Sequence, residues 1–168
     1  NYSLGNNASS TLGPKKINGN MTLENGATLI LTGTVWITGT INFGNTVTIK
    51  LDPSYGVASG VLMLNGSASI GNGAILKGSG QSGSDLILLS TFGSGQALSL
   101  GNGATGDIFY APNGTINVGN GLNVKEVTGS GLDVGNSATV TYESGLANIN
   151  FTSGPGASFQ ITSWKEIQ

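Results

Sequence analysis

The sequence predicts an all-β fold, a single-domain parallel β-solenoid, and three observations lead to this prediction. Short stretches alternate strictly between apolar and polar residues, which is the period of a half-buried strand. Near-copies of one turn punctuate these stretches, as in "SIGNGAI" from Ser69 and "SLGNGAT" from Ser99. The spacing between the turns leaves no room for a crossover helix, so the strands must connect through tight corners.

The repeat becomes visible when one asparagine of each turn is aligned. The aligned residues are Asn25, Asn45, Asn72, Asn102, Asn120 and Asn136. Two and four positions before each asparagine the residue is always apolar, and three positions before it is always polar. Apolar residues resume two and four positions after the turn, where Gly106 is the one lapse. We therefore predict that these asparagines turn corners, with Asn side chains bonded along the stack, and that Ser99 and Asp107 face water.

The spacing of the repeat sets the size of the predicted coil. Successive turn asparagines are 20, 27, 30, 18 and 16 residues apart. We infer a basic coil of 16–20 residues and about seven stacked coils, with right-handed winding favoured. The two long intervals carry insertions, which include "LDPSYGVAS" and "GSGQSGSDLILLSTFGSG". An antiparallel sandwich is the alternative fold, but hairpins do not require the same residue at the same offset in every unit.

The chain is interpreted as one domain with protected ends. Its parts are a lead-in or N-terminal cap over 1–19, coils over 20–150 and a C-terminal cap over 151–168. Open solenoid ends expose strand edges and apolar core, which chains usually cover. Four aromatic residues are expected in the core or in these caps, namely Trp36, Phe151, Phe159 and Trp164.

Composition excludes several classes of function. Only 8% of the residues are charged, and the net charge is −2 with six lysines, no arginine and no histidine, so a strongly basic nucleic-acid footprint is absent. No cysteine is available for a disulfide or a thiolate metal site. No acid recurs at a fixed offset, which argues against a calcium ladder. We expect neither a cofactor nor a metal.

Several longer stretches resemble one protein family. They include "LTGTVWITG" from Leu31, "LDPSYG" from Leu51, "IFYAPNGTI" from Ile108, "VKEVTG" from Val124 and the ending "YESGLANINFTSGPGASFQITSWKEIQ". Together they are similar to the C-terminal solenoid region of bacterial PilX-type, pilin-like proteins, whose chains often close on Gly-Pro-Gly followed by Ser-Trp-Lys/Arg-Glu.

The resemblance implies a non-enzymatic extracellular domain carried by a type IV pilus or pseudopilus, as a minor component. Its role would be that of a structural spacer or of an adhesion and receptor surface. Its partners would be other pilin subunits or cell-surface molecules, with DNA or surface polysaccharide as further ligands. Members of this family are anchored by an N-terminal apolar helix, which this sequence lacks, so we expect a fragment that begins after such a helix.

A lysine stripe is the main candidate for ligand binding. Lys50, Lys77 and Lys125 all stand five positions after a turn asparagine, a column that Asp107 shares. On neighbouring coils they would form a positive strip able to meet phosphates or another anionic polymer. The alternative interpretation is that these lysines only protect an exposed β surface from aggregation.

Two other classes of function remain open. A carbohydrate-active β-helix enzyme, either a lyase or a glycosidase, needs converging carboxylates, and Glu126 with Glu143 on adjacent coils is the pair considered. A bactofilin-like polymer would instead stack its solenoids end to end. A threonine column three positions after the turn is typical of ice-binding faces, but Ile75 and Asn123 interrupt it.

Overall fold

The structure, a computed structural model, describes residues 1–141. The C-terminal cap predicted over 151–168, with Phe151, Phe159 and Trp164, lies outside the described residues, as does Glu143. The described residues form 16 strands and one 3-10 helix, with no α-helix. The strands are β1 (Tyr2–Leu4), β2 (Ser9–Leu12), β3 (Lys15–Ile17), β4 (Met21–Leu23), β5 (Thr28–Leu31), β6 (Val35–Ile37), β7 (Ile41–Phe43), β8 (Thr48–Leu51), β9 (Gly60–Leu64), β10 (Ala68–Ile70), β11 (Ile75–Lys77), β12 (Leu86–Ser90), β13 (Gln96–Leu100), β14 (Thr105–Val118), β15 (Asn123–Val134) and β16 (Thr139–Val140), and the 3-10 helix is Pro53–Tyr55.

Every pair of neighbouring strands is parallel, and the pairs arrange the strands in three rows. Row 1 contains β1, β4, β7, β10, β13 and the last parts of β14 and β15. Row 2 contains β2, β5, β8, β11, the first parts of β14 and β15, and β16. Row 3 contains β3, β6, β9, β12 and the middle parts of β14 and β15. The prediction of an all-β, parallel fold is confirmed, the antiparallel sandwich is wrong, and the arrangement is consistent with a β-solenoid.

Residues 1–19, predicted as a lead-in or cap, supply the first strand of each row. β1, β2 and β3 pair in register with β4, β5 and β6 respectively. Consecutive strands of the chain therefore lie in different rows, whereas neighbours within a row are one repeat apart.

The core lies between the three rows and contains the apolar columns that alternation predicts, together with inward residues of row 3 such as Val35, Leu62 and Phe109. From Met21 to Val124, the apolar residues two and four positions from each turn asparagine are buried. The same positions in the last described repeat are half exposed, at 50% for Leu132, 54% for Val134 and 51% for Val140.

Each corner between rows 1 and 2 needs one residue in the left-handed region, directly after the turn asparagine. Glycine supplies it at Gly26, Gly73, Gly103 and Gly121, with φ between 64° and 70°. Three other corners place a residue with a side chain there, among them Thr46 with φ 56°. A β-branched residue is strained in this region, so the corner imposes its conformation on Thr46.

An asparagine ladder runs along these corners and joins consecutive repeats. The side-chain oxygen of each turn asparagine accepts a hydrogen bond from the backbone N–H of the next. The five distances are 2.8 Å from Asn25 to Asn45, 2.9 Å from Asn45 to Asn72, 2.8 Å from Asn72 to Asn102, 2.8 Å from Asn102 to Asn120 and 2.7 Å from Asn120 to Asn136. Five of the six asparagines thus supply side-chain acceptors that a shorter or apolar side chain would lack.

A glycine column precedes the asparagine ladder because the backbones touch there. A Cβ atom on Gly101 would lie 2.6 Å from the carbonyl carbon of Gly71 and 2.7 Å from the amide nitrogen of Asn72. On Gly71 it would lie 2.3 Å from the carbonyl oxygen of Gly44. The two glycines of each Gly-Asn-Gly turn therefore serve different needs, close contact before the asparagine and positive φ after it.

Gly106 interrupts the apolar column, and an aromatic ring fills the space that its missing side chain leaves. A Cβ atom on Gly106 would lie 2.5 Å from both Cε2 and Cζ of Phe109. Phe109 is 1% exposed and belongs to the core. The missing side chain thus makes room for a larger one three residues later.

Candidate functional site

The structure separates the three lysines of the predicted stripe into a neighbouring pair and a third lysine that binds carboxylates. Lys50 and Lys77 are direct register partners in row 2. Lys77 is exposed and Lys50 is half-buried. Lys125, the third member, turns its ammonium to two carboxylates, so its charge is neutralised inside the protein.

These carboxylates belong to Asp85 and Asp107, which form an acidic pair around Lys125. Lys125 Nζ lies 2.7 Å from Asp85 Oδ1 and 3.5 Å from Asp107 Oδ1. The exposed fraction is 28% for the Lys125 side chain, 6% for Asp85 and 11% for Asp107. The prediction that Asp107 faces water is therefore wrong.

Asp107 is buried because its carboxylate accepts hydrogen bonds from the backbone of a loop. Asp107 Oδ2 accepts hydrogen bonds from the backbone N–H of Gly78 at 2.7 Å and of Leu86 at 2.9 Å. These two amides stand at the beginning and the end of the inserted segment 78–86, so one carboxylate oxygen holds both ends of the loop. Burial raises the pKa of the Asp107 carboxyl above its usual value, although both hydrogen bonds and the charge of Lys125 act to lower it.

The two insertions noted in the sequence pack on each other. Ser84 Oγ donates to the carbonyl oxygen of Ala58 at 2.7 Å, and the Asp85 amide donates to Ser59 Oγ at 3.0 Å. Ser79 Oγ donates to the carbonyl oxygen of Gly56. The segment that follows β8 and the segment that follows β11 are thus joined by hydrogen bonds into one feature at the corner between rows 2 and 3.

A shallow depression of about 350 Å³ lies beside this cluster on the outside of row 2. Its polar lining comes from Lys77, Thr105, Asp107, Asn123, Lys125 and Thr141. Of the lysine stripe, Lys77 and Lys125 line this depression and Lys50 does not.

Row 3 carries a surface that alternation does not predict. Its outward column contains Lys16, Trp36, Met63, Leu89, Tyr110 and Thr128, each the register partner of the next. Trp36, predicted for the core or a cap, lies in this column and is partly exposed, so that prediction is wrong. The Trp36 indole N–H donates to Asn65 Oδ1 at 2.9 Å, and Lys16 Nζ lies 4.0 Å from its ring centroid.

The sequence does contain a signal for row 3, although a weak one. The strand stretches "VLML" from Val61 and "LILL" from Leu86 are apolar on both faces, and continuous apolar runs indicate strands covered on both sides.

The other predicted groups do not converge. Glu126 accepts a hydrogen bond from Thr128 Oγ1 at 3.0 Å, and its proposed companion Glu143 is not described. In residues 1–141 no group of three or more acidic, cysteine or histidine side chains could hold a metal ion. Thr28 and Thr48 are register partners, as the threonine column requires, and Ile75 pairs with Thr48 next in the row.

Comparison with known proteins gives no relatives for this chain. No family model, no curated protein and no solved structure matches it. Within residues 1–141 there is also no helix of the length and apolar character that a membrane span requires.

Proposed function

We propose that the chain is a non-enzymatic extracellular domain of a pilin-like protein associated with a type IV pilus or pseudopilus. In this role it acts as a structural spacer or as an adhesion and receptor surface. One observation carries the non-enzymatic part: the conspicuous polar side chains of residues 1–141 bind backbone or one another along the stack. The asparagine ladder is one example and the Asp85, Asp107 and Lys125 cluster is the other. The resemblance to PilX-type sequences supports the association with a pilus.

For such a spacer we propose a right-handed β-solenoid of about seven coils. The seven segments of row 1 support this number. At about 4.8 Å between strands the stack would be roughly 35 Å long. Small-angle X-ray scattering of the chain should give the elongated profile of such a rod, and a spherical profile would contradict it.

The pilus association is tested by the gene that encodes the chain. A leader followed by about 20 apolar residues upstream of Asn1 is the expected result, because that length forms a membrane-spanning helix. A plain secretion signal would overturn the proposal. In cells, an antibody to this domain should detect it in sheared pilus fractions.

The carbohydrate-active enzyme remains the second candidate, and one observation favours it. Asp107 has a raised pKa and lies beside a second carboxylate, as an acid catalyst often does. However, Asp107 Oδ2 is occupied by two amides and Oδ1 faces Lys125, which leaves little of the carboxyl for a substrate. Cleavage of an acidic or neutral polysaccharide that is lost in both Asp107→Asn and Asp85→Asn, with both variants still folded, would establish the enzyme and refute the spacer.

Binding of an anionic polymer through the lysine stripe is tested separately. We expect Lys50→Gln with Lys77→Gln to abolish any binding of single-stranded DNA at low salt, because each lysine neutralises one phosphate. Lys125→Gln should change binding little, since its ammonium already pairs with Asp85 and Asp107. Unchanged binding in the double variant, or none in the parent, would end this part of the proposal.

A further inference from the structure

The outside of row 3 differs in chemistry from the outside of the other two rows. Outward positions in rows 1 and 2 are mostly Ser, Thr, Asn and Lys, as at Thr22, Asn42 and Ser69. The outward positions of row 3 are apolar over four consecutive repeats, and we call this surface the apolar outer face. It consists of Trp36, Met63, Leu89 and Tyr110, with Val61, Ile87 and Ile108 beside them.

The apolar outer face is separate from the core. Ile87 and Ile108 are only 8% and 4% exposed, yet neither belongs to the core cluster, whereas their inward neighbours Leu88 and Phe109 do. Trp36, Met63, Leu89 and Tyr110 are half-buried, so the face presents part of its apolar area on the outside of the sheet. Contiguous apolar surface of this kind marks a site of interaction in soluble proteins.

Charge at the two ends of the face indicates what it contacts. Lys16 stands at the end nearest the N-terminus, with its ammonium over the Trp36 ring. Glu126 stands at the other end, as the register partner of Ile108. Because a cation stands at one end and an anion at the other, the strip is electrostatically complementary to a second copy of itself in the opposite orientation.

The order of the side chains fits the same symmetry. A two-fold axis between β9 and β12 would bring Met63 against Leu89 and Trp36 against Tyr110 of a second copy. Lys16 of each copy would then lie opposite Thr128 of the other, whose hydroxyl donates to the Glu126 carboxylate and so holds that carboxylate within reach of the ammonium. A parallel arrangement of the two copies would instead oppose lysine to lysine and glutamate to glutamate.

We infer that two copies of this chain associate side by side and antiparallel through their apolar outer faces, with Lys16 of each copy paired to Glu126 of the other. From Lys16 to Thr128 the column crosses six strands, or about 24 Å at about 4.8 Å per strand, and a five-residue strand adds about 17 Å of width. Because these side chains are already half-buried or buried, the two faces together would bury at most roughly 800 Å², which is less than the roughly 1,200 Å² typical of stable interfaces. The dimer is therefore weak and reversible. This inference goes beyond the proposed function, because it concerns how two such domains contact each other.

The test is a charge exchange followed by analytical ultracentrifugation of the full chain over a wide range of concentrations. Lys16→Glu alone and Glu126→Lys alone should each weaken dimerisation about tenfold, because two symmetry-related pairs change from attraction to repulsion. The double variant, Lys16→Glu with Glu126→Lys, should restore the dimer. Lys15→Glu is the matched control, since it makes the same charge change on the adjacent residue and should have little effect.

Further measurements separate this dimer from other modes of association. Met63→Lys should abolish the dimer, and circular dichroism with urea unfolding must show that the variant still folds. A parent that stays monomeric, a double variant without rescue, or end-to-end filaments insensitive to Met63→Lys would each overturn the inference. The first two outcomes leave the spacer proposal intact, whereas filaments would favour the bactofilin-like polymer.

Discussion

Replacing either glycine of one Gly-Asn-Gly corner should lower the free energy of unfolding, but for different physical reasons. We consider Gly101→Ala and Gly103→Ala, which add the same methyl group on either side of Asn102. A methyl group on Gly103 would have no atom within 4 Å, but the φ angle of this residue is +65°. Gly103→Ala should therefore cost about 1 kcal/mol, the typical penalty of the left-handed region for an L-residue.

Gly101→Ala should cost more, because its methyl group would meet the backbone of the preceding repeat. Carbon atoms pack best at about 3.5–4.0 Å, and the nearest one here would be at 2.6 Å, so the two repeats must separate by nearly 1 Å. The separation stretches the bond from the Asn102 amide to Asn72 Oδ1, now 2.8 Å, and that from the Gly101 amide to the Ile70 carbonyl oxygen, now 2.9 Å. At about 1 kcal/mol for each bond and about 1 kcal/mol or more for overpacking, the total is about 3 kcal/mol.

Equilibrium unfolding in urea measures both free energies, and a third variant separates the two causes. Gly103→Asn should be nearly neutral, because Asn7 occupies the equivalent corner with φ 54° and asparagine tolerates this region. Gly101→Asn should be at least as harmful as Gly101→Ala. A Gly101→Ala variant that costs no more than Gly103→Ala, or a Gly103→Asn variant as destabilising as Gly101→Asn, would refute this division between close contact and positive φ.

Three further predictions concern strain, packing and pH. Thr46→Gly should raise the free energy of unfolding by about 1 kcal/mol, since it relieves a β-branched residue at φ 56°, and a loss of stability in urea unfolding would contradict this. Gly106→Ala should destabilise the protein by about 2 kcal/mol through the Phe109 ring, and Phe109→Leu in the same chain should recover part of the loss, which thermal unfolding can show; a purely additive double variant would be inconsistent with the contact. Because the native state binds a proton at Asp107 at higher pH than the unfolded state does, the stability of the parent relative to Asp107→Asn should increase as the pH falls from 7 to about 4. A difference that stays constant over this range would show that burial does not raise the pKa of Asp107.

Rows 1 and 2 can be predicted from the sequence because their strands flank a turn that keeps the same offset in every repeat. Burial from Met21 to Val124 follows the predicted alternation. Row 3 escapes prediction because β9 and β12 follow the two insertions, which shift the spacing, and are apolar on both sides, so that alternation disappears there. The interior prediction for Trp36 fails for the same reason, since an aromatic residue in an apolar stretch carries no sign of which face it occupies.

The charged cluster can be predicted only in part. The column containing Lys77, Asp107 and Lys125 follows from spacing, and the register places these residues as that column requires. The contacts that decide their roles come from backbone amides at Gly78 and Leu86, and the fold of an insertion determines where such amides point. Lys125 consequently loses its place in the binding stripe, because Asp85 arrives from the same insertion.

The asparagine ladder has a direction. At each step the earlier repeat supplies the side-chain acceptor and the later repeat supplies the amide, from Asn25 through to Asn136. A chain that emerges N-terminus first, from a ribosome or an export channel, therefore meets every acceptor already in position when the matching amide appears. Because each repeat contacts only its neighbours, folding can advance one repeat at a time without waiting for the end of the chain. The side-chain bonds at these corners thus favour the addition of repeats from the N-terminal end.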